Sequence, residues 1–574
     1  MWRSPSILVA AAFLLLPLLS TSPVPPGETQ AALHRSEAHT CLGCVLVVSV
    51  IEQLAQVHNC TVMAALERLC GYLPEKLFLK STCYLMADIF GPDLIRLLST
   101  RVNADMVCHA IKLCPHDAGN PLCHLYPPPK EGLEKTLKKA KTIVENSQTL
   151  KHLRTPVDIC SLPPLAKLCQ EIKKVINNHL PFEDLDEDKY SVFPTLRGYH
   201  WRGKDCNDRE KTVYPGRRPV NWDVLQDSNC NGIWGVDPRD GAPYEKTFCN
   251  NSGARGIILL GDSAGAHFHI PPEWLTATQM SSKSFSNLPE AMTNELDWPQ
   301  LSGMTGFLNS THGNENSVYL RLHKQNRCNH RDYQSISKNG ASSENLLSFI
   351  KSLSRQQLKD NPALVIYSMI GNDVCNGKAD TTAHMTSPLA MRSHVLEALR
   401  ILDSRLPPGS HVVLSGLVDG RFLWDHLHDR FHPLGQLNKD VTYKQFYTFL
   451  SCLQVNPCEG WMSTNETLRN FTSERAAQLS RVLQEVADHE AFASFKLLYV
   501  NYPLQQIAKE WKKRGGQPWQ LIEPVDGFHP SEVALALHAE FFWTTLLRRW
   551  PQALGKVNPF NDQIEKLFGD QGGH

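Results

Sequence analysis

Polar and apolar positions follow two regimes along this chain. From about residue 157 onward, short apolar runs recur at Gly256–Leu260, Tyr333–Ser337, Ala363–Met369, Val412–Leu417 and Phe495–Val500. Between them the apolar positions take a helical spacing, as in Ser387–Leu402 and Glu474–Ala487. Strand-length runs alternating with helical patterns predict an α/β domain with a parallel sheet. Residues 37 to 118 read differently. Apolar clusters at Val45-Leu46-Val47 through Ile51 and Leu54, at Ala64-Ala65-Leu66 and at Leu94, Ile95, Leu97 and Leu98 suit helical faces. Cysteines 41, 44, 70, 83, 108 and 114 interrupt them. A helical unit this small buries little core and needs covalent staples. No internal repeat is evident.

The N-terminal apolar run, Ile7 to Leu19, follows Arg3 and precedes Ser20-Thr21-Ser22. It is too short to span a bilayer and reads as a secretory signal over residues 1–22. Residues 23–36 are polar and proline-containing, as in a propeptide or leader. No later apolar stretch reaches the roughly 20 residues of a spanning helix. The mature protein is therefore expected to be soluble and lumenal or extracellular. Its 17 cysteines fit an oxidising compartment. Their odd number leaves at least one thiol outside intrachain pairs, and Cys60 is the candidate. Sequons at Asn59, Asn250, Asn309, Asn465 and Asn470 are candidate glycan sites in that compartment. Lys+Arg and Asp+Glu are both 58 in 574 residues, which gives no electrostatic case for nucleic acid as a partner.

Pro127-Pro128-Pro129 ends the first unit, and a basic stretch carrying Lys135, Lys138, Lys139, Lys141, Lys151 and Arg154 follows. Residues 119–156 read as an exposed linker open to proteolysis, or as a solvated helix. If the linker is cut, Cys123 needs a partner in the larger piece (residues 157–574), and Cys452 is the residue assigned. Local pairs Cys160–Cys169 and Cys206–Cys230 are further candidates.

Candidate chemistry begins at Gly261-Asp262-Ser263-Ala264-Gly265, directly after an apolar run. Glycines flanking a serine let the backbone turn sharply and present a nucleophile. The motif reads as G-x-S-x-G or as G-D-S. Downstream stand Lys338-Asn339-Gly340, Gly371-Asn372-Asp373 and Asp526-Gly527-Phe528-His529. In that order the four pieces resemble the blocks of the GDSL/SGNH hydrolases, with the third block one residue short of G-x-N-D. A carboxylate three residues before a terminal histidine favours this family over the α/β-hydrolases. That spacing lets Asp526 hold His529 Nδ1 and leaves Nε2 to act as base on Ser263. The resemblance assigns oxyanion donors to the Ser263 N–H, the Gly340 N–H and the Asn372 side chain. Asp262 is not the triad acid in this reading, and His267 and His269 are packing or substrate-facing residues.

The six N-terminal cysteines resemble the frame of a saposin B-type domain over residues 37–118. That family implies the pairs Cys41–Cys114, Cys44–Cys108 and Cys70–Cys83, and an amphipathic helical leaf that holds lipid chains.

Acidic residues alternate in Asp184-Leu185-Asp186-Glu187-Asp188-Lys189-Tyr190, and Asp205, Asn207 and Asp208 follow. Asp227-Ser228-Asn229-Cys230-Asn231-Gly232-Ile233 matches the opening of an EF-hand loop, but Pro238 stands where its twelfth-position glutamate belongs. Asp184, Asp186, Asp188, Tyr190, Asp205, Asn207, Asp208, Asp227, Asn229, Asn231 and Ile233 are thus candidate ligands of structural Ca2+. Solvated acidic loops are the alternative.

A signal, a saposin-like unit, a cleavable linker and an SGNH-like esterase together resemble a family of two-subunit lipid esterases. The resemblance implies removal of secondary, acyloxyacyl-linked fatty acyl chains from the lipid A of bacterial lipopolysaccharide. It also implies disulfide-joined small and large subunits, contact with a membrane or micelle surface, and residence in lysosomes or secretory vesicles. A phospholipase or general lipase on the same scaffold, and a non-catalytic saposin-type lipid carrier, are the alternatives.

Overall fold

The computed structural model describes residues 29–100, 102–115, 121–147, 163–309, 316–378 and 380–574. The larger part is built on a five-stranded parallel sheet. Its strands are β1 (Gly256–Gly261), β2 (Tyr333–Ser337), β3 (Ala363–Ser368), β4 (Ser410–Ser415) and β5 (Phe495–Val500), in the order β2-β1-β3-β4-β5. All five apolar runs are strands. The fourth starts at Ser410, before the expected Val412, because Ser410 and His411 are buried although polar.

Side chains alternate between two cores. Ile258, Leu260, Val365, Val412 and Leu414 pack with the helices Pro388–Asp403 and Glu466–His489. Ile257, Leu259, Leu364, Ile366 and Val413 pack with Val318–Gln325 and Glu532–Arg549. Burying each such aliphatic side chain stabilises the fold by about 1.5–3 kcal/mol. β1 lies between β2 and β3, so connections leave it toward opposite faces. The carboxyl end of such a switch point is where open α/β sheets place their ligands. At the outer edge, Trp201 and Gly203 pair with β2: Ser335 N donates to Trp201 O at 2.7 Å, and Gly203 N to Tyr333 O at 2.9 Å. The acidic insert thereby covers an edge that would otherwise be open to pairing.

The N-terminal unit has helices Thr29–Val57, Val62–Tyr72, Leu79–Ser99 and Ala104–Ala110. Cys41–Cys114, Cys44–Cys108 and Cys70–Cys83 are formed as the family frame implied. Cys123–Cys452 and Cys206–Cys230 are also formed, with Cys249–Cys328 and Cys375–Cys458, which sequence analysis did not propose. The free cysteine among the described residues is Cys60. Cys160 lies outside the described residues, and Cys169 is disulfide-bonded.

An apolar helix of spanning length does occur after the N-terminal run, contrary to expectation. Glu37–Val57 is long and apolar enough to cross a membrane. In the fold it is a core helix, stapled through Cys41 and Cys44, and its Gln53 Nε2 donates to Leu434 O of the larger domain at 2.7 Å. The stretch read as an exposed linker or a solvated helix contains the helix Leu133–Glu145. Its Thr136, Leu137 and Ala140 are buried, while Lys135, Lys138 and Lys139 remain exposed. Amphipathic spacing outweighed the basic composition that suggested a linker. The rest of that region from 148 to 162, with Lys151 and Arg154, lies outside the described residues.

Candidate active site

Ser263 stands at the carboxyl end of β1. Both glycines around it pack closely on β2: a Cβ on Gly261 would lie 2.7 Å from Ser337 Oγ, and one on Gly265 2.8 Å from the same atom, so a side chain at either would have to displace that hydroxyl. Asp262 caps the short helix that follows. Its carboxylate accepts from Ala264 N at 3.0 Å and from Ile370 N, beyond β3, at 2.9 Å. Asp262 is therefore a structural tie and not the partner of the histidine.

His529 and Asp526 arrive from far along the chain. His529 Nδ1 donates to Asp526 Oδ2 at 2.6 Å, and Nε2 lies 2.7 Å from Ser263 Oγ. Asp526 Oδ1 accepts from the N–H of Phe528 at 2.8 Å and of His529 at 3.1 Å, so the turn itself fixes the carboxylate. Burial pulls the His529 imidazole down, but Asp526, Asp262 and Glu523 outweigh it and hold the group above its ordinary value. A histidine so held can take the serine proton as the oxygen attacks a carbonyl.

Asn372 follows β3 and lines a cavity shared with Ser263 and His529. Gly340 follows β2 in the left-handed region, at φ +71°, with open space at its Cβ position. Asp373 ties these two turns together. It accepts from Ser343 Oγ at 2.5 Å, from Ser343 N at 3.0 Å and from Thr386 Oγ1 at 2.7 Å. Asn339 Nδ2 donates to Asp297 Oδ2 at 3.1 Å, anchoring the residue before Gly340. The three proposed oxyanion donors are thus on adjacent strand ends, as the blocks require.

The cavity beside Ser263 measures about 50 Å3, with Phe422, Leu423, Trp461 and Tyr502 in its wall. Trp461 is held by its Nε1–H, which donates to Ser473 Oγ at 3.0 Å. A Cβ on Gly420 would lie 2.1 Å from that ring, so glycine leaves room for the indole. A narrow apolar wall beside a nucleophile suits an acyl chain. His267 is fully buried, and its imidazole is pushed down to about 3 by burial. His269 is partly exposed and donates from Nδ1 to Glu523 Oε2 at 2.6 Å.

The two acidic loops of the insert share one backbone pattern. Asp184 accepts from Asp188 N at 3.2 Å and from Lys189 N at 2.8 Å. Asp227 accepts from Asn231 N at 3.2 Å and from Gly232 N at 2.7 Å. Asp188 then caps Tyr190 N as Asn231 caps Ile233 N. In the first loop, carboxylates of Asp184, Asp186 and Asp208, and of Asp186, Asp188 and Asp205, converge within 4.8 Å. Oδ2 of Asp186, Asp188 and Asp205 is buried without a hydrogen-bond partner. Burial, then the neighbouring carboxylates, pushes Asp188 up to about 8. That donor set fits a hard cation. Tyr190 accepts from Gln334 Nε2 at its hydroxyl and, like Ile233, has only a main-chain carbonyl to offer. Asn207 turns its amide toward Glu210. In the second loop, Asn229 Nδ2 and Asn231 Nδ2 donate to Glu245, at 3.1 and 2.9 Å. Glu245 reaches the loop from a helix beginning at Tyr244, beyond the loop's own length. Asn59, Asn250, Asn309, Asn465 and Asn470 are all exposed.

A serine held by a histidine–aspartate pair, on a parallel sheet behind a disulfide-stapled helical unit, defines a lipid acyl hydrolase of the GDSL class. The family models agree: residues 40–170 match the saposin-like domain, and residues 257–542 match the GDSL-like lipase/acylhydrolase. The chain is 65% identical to the acyloxyacyl hydrolase of Homo sapiens, over 99% of each chain. It is 63% identical to that of Oryctolagus cuniculus, over 100% of this chain and 99% of the relative, and 63% identical to that of Mus musculus, over 98% of each. The chain belongs to the acyloxyacyl hydrolase family and is a carboxylic ester hydrolase.

Glu523 and Glu245 carried no assignment from sequence, and neither the tie made by Asp373 nor the partner of His269 was read there. Glu523-x-x-Asp526-x-x-His529 is a legible run, and its first acid was the available signal.

Proposed function

We propose that this protein releases secondary, acyloxyacyl-linked fatty acyl chains from the lipid A of bacterial lipopolysaccharide, through Ser263, His529 and Asp526. The observation that carries the reading is the 2.7 Å Ser263–His529 and 2.6 Å His529–Asp526 contacts at an apolar cavity. The name of its relatives, acyloxyacyl hydrolase, supports the bond cleaved. The saposin-like unit supports a lipid substrate, with Leu77, Phe78, Tyr84 and Leu85 exposed where a micelle or membrane can meet them.

In this reading Ser263 Oγ attacks the acyl carbonyl while His529 Nε2 takes its proton. The Ser263 and Gly340 N–H groups and the Asn372 side chain stabilise the oxyanion. His529 returns the proton to the departing ester oxygen, which leaves as a lipid hydroxyl as its bond to the acyl carbon breaks, and an acyl-enzyme remains. Water, deprotonated by His529, releases the fatty acid. Loss of one oxyanion donor costs about 3–4 kcal/mol of transition-state stabilisation.

The same reading places the protein in secretory vesicles, lysosomes or the extracellular space, with glycans on the exposed sequons. After cleavage in the 119–156 region, Cys123–Cys452 joins a small to a large subunit. Ca2+ at the two acidic loops braces the insert that covers β2. Mass spectrometry of fatty acids released from purified lipid A, beside glycerophospholipids, tests the substrate. Ser263→Ala is expected to abolish release while keeping lipid binding. Equal release from glycerophospholipids would indicate a general lipase, and failure of Ser263 to react with a fluorophosphonate would indicate a carrier.

A further inference from the structure

We propose that His269 and Glu523 form a second histidine–carboxylate pair, which positions the His529 loop and supports the charge on His529 during catalysis. The inference rests on the esterase reading above. His269 lies six residues after Ser263, yet it meets Glu523 across a sequence separation of 254 at 2.6 Å. The side chains are 24% and 2% exposed.

Glu523 also grips both ends of the loop that carries the acid and base. Its N–H donates to His529 O at 2.8 Å, and its carbonyl accepts from Gly527 N at 2.9 Å. His269 is anchored in turn. Its N–H donates to Leu296 O at 3.1 Å, and its carbonyl accepts from Trp298 Nε1 at 2.9 Å. The pair therefore bridges the nucleophile side of the site to the base side. A buried carboxylate is costly to desolvate and is retained only where its charge is matched. A neutral side chain would fill the same space without that cost.

The charge is placed to act on His529. That imidazole faces Asp526, Asp262 and Glu523. His269 faces Glu523, Glu532 and Asp526. His267 and His432 are held neutral by burial, pushed down to about 3 and about 4. His432 Nε2 donates to Val525 O, and the Tyr443 and Tyr447 hydroxyls donate to Pro524 O and Gly527 O. When His529 takes the serine proton it becomes a cation beside Glu523, which favours the charged form.

The test uses the full-length disulfide-linked protein, a soluble p-nitrophenyl ester and a fluorophosphonate probe of Ser263. Glu523→Gln is expected to lower kcat by about ten-fold or more with KM within about two-fold, the signature of lost positioning. The acid limb of its kcat/KM profile is expected to move to lower pH, because His529 loses an anion that favours protonation. His269→Ala strips Glu523 of its partner and is expected to do the same. His269→Gln keeps an N–H donor to Glu523 and is expected to recover most of the lost kcat. An unmoved acid limb in Glu523→Gln overturns the proposal, whether activity is kept or falls together with the thermal midpoint. So does a His269→Gln variant no better than His269→Ala. Activity surviving in Ser263→Ala would instead overturn the esterase reading.

Discussion

The Ile370 N–H donates to the Asp262 carboxylate at 2.9 Å, joining the turn that carries Ser263 to the turn that carries Asn372. The other carboxylate oxygen accepts from Ala264 N, so both oxygens are used. Burial pushes this carboxyl up to about 6. Asp262→Asn keeps one acceptor and replaces the other with an N–H donor facing an N–H. It is expected to cost about 1–3 kcal/mol of stability and to slow fluorophosphonate labelling of Ser263. Thermal unfolding and the labelling rate, measured on the same sample, check both.

Gly420 faces the ring of Trp461 with no room for a Cβ. Gly420→Ala must push the indole within the cavity wall, at about 1–3 kcal/mol for overpacking. Hydrolysis of long-chain esters is expected to fall more than that of acetyl esters, read as the ratio of kcat/KM along a chain-length series. An unchanged ratio would remove the cavity from the acyl-binding role.

The unpartnered oxygens of Asp186, Asp188 and Asp205 are expected to hold Ca2+. A chelator should then lower the thermal midpoint, and added Ca2+ should restore it. A ligand at a hundred times its Kd stabilises by about 2.7 kcal/mol. Asp188→Asn is expected to blunt this response while Ser263 still labels, since Asp188 is not among the residues lining the cavity beside the serine.

Where the helical unit meets the larger domain, Glu52 is pushed up to about 8 by burial, then by Asp105 and Asp440. Asp105 is pushed up to about 6 by burial. A carboxyl raised in the folded state stabilises fully below its unfolded value and loses that contribution as pH rises through the folded value. For Glu52 that window runs from 4.5 to about 8. The midpoint is therefore expected to fall between pH 5 and pH 8, and Glu52→Gln to flatten the fall. Differential scanning across that range would show it; a midpoint rising toward pH 8 would contradict it.

Much of the site was legible because its chemistry is local. Apolar runs located all five strands, the Gly261–Gly265 pentapeptide located the serine that meets His529, and a three-residue spacing joined Asp526 to His529. The two acidic loops were legible for the same reason, with backbone caps set within seven residues, whereas the disulfide frame of the helical unit came from its family resemblance, since Cys41–Cys114 and Cys44–Cys108 join distant positions. Misreadings arose where a local signal pointed the wrong way. Lysines masked the buried face of Leu133–Glu145, and the residues flanking Glu37–Val57 did not reveal a core helix long enough to span a membrane.

What the sequence alone determined, then, is which segments become strands and which residues form the Ser263–His529–Asp526 cluster, since side-chain periodicity and short-range geometry reside in neighbouring positions. The tertiary structure decided the rest. Glu245 accepts from Asn231 across the second acidic loop, Cys249 finds Cys328 and Cys375 finds Cys458, Trp461 takes the space left by Gly420, and His269 meets Glu523. Each of these contacts joins residues that the chain does not hold close. Their pairing depends on which helix packs on which face of the sheet, and no local pattern encodes that.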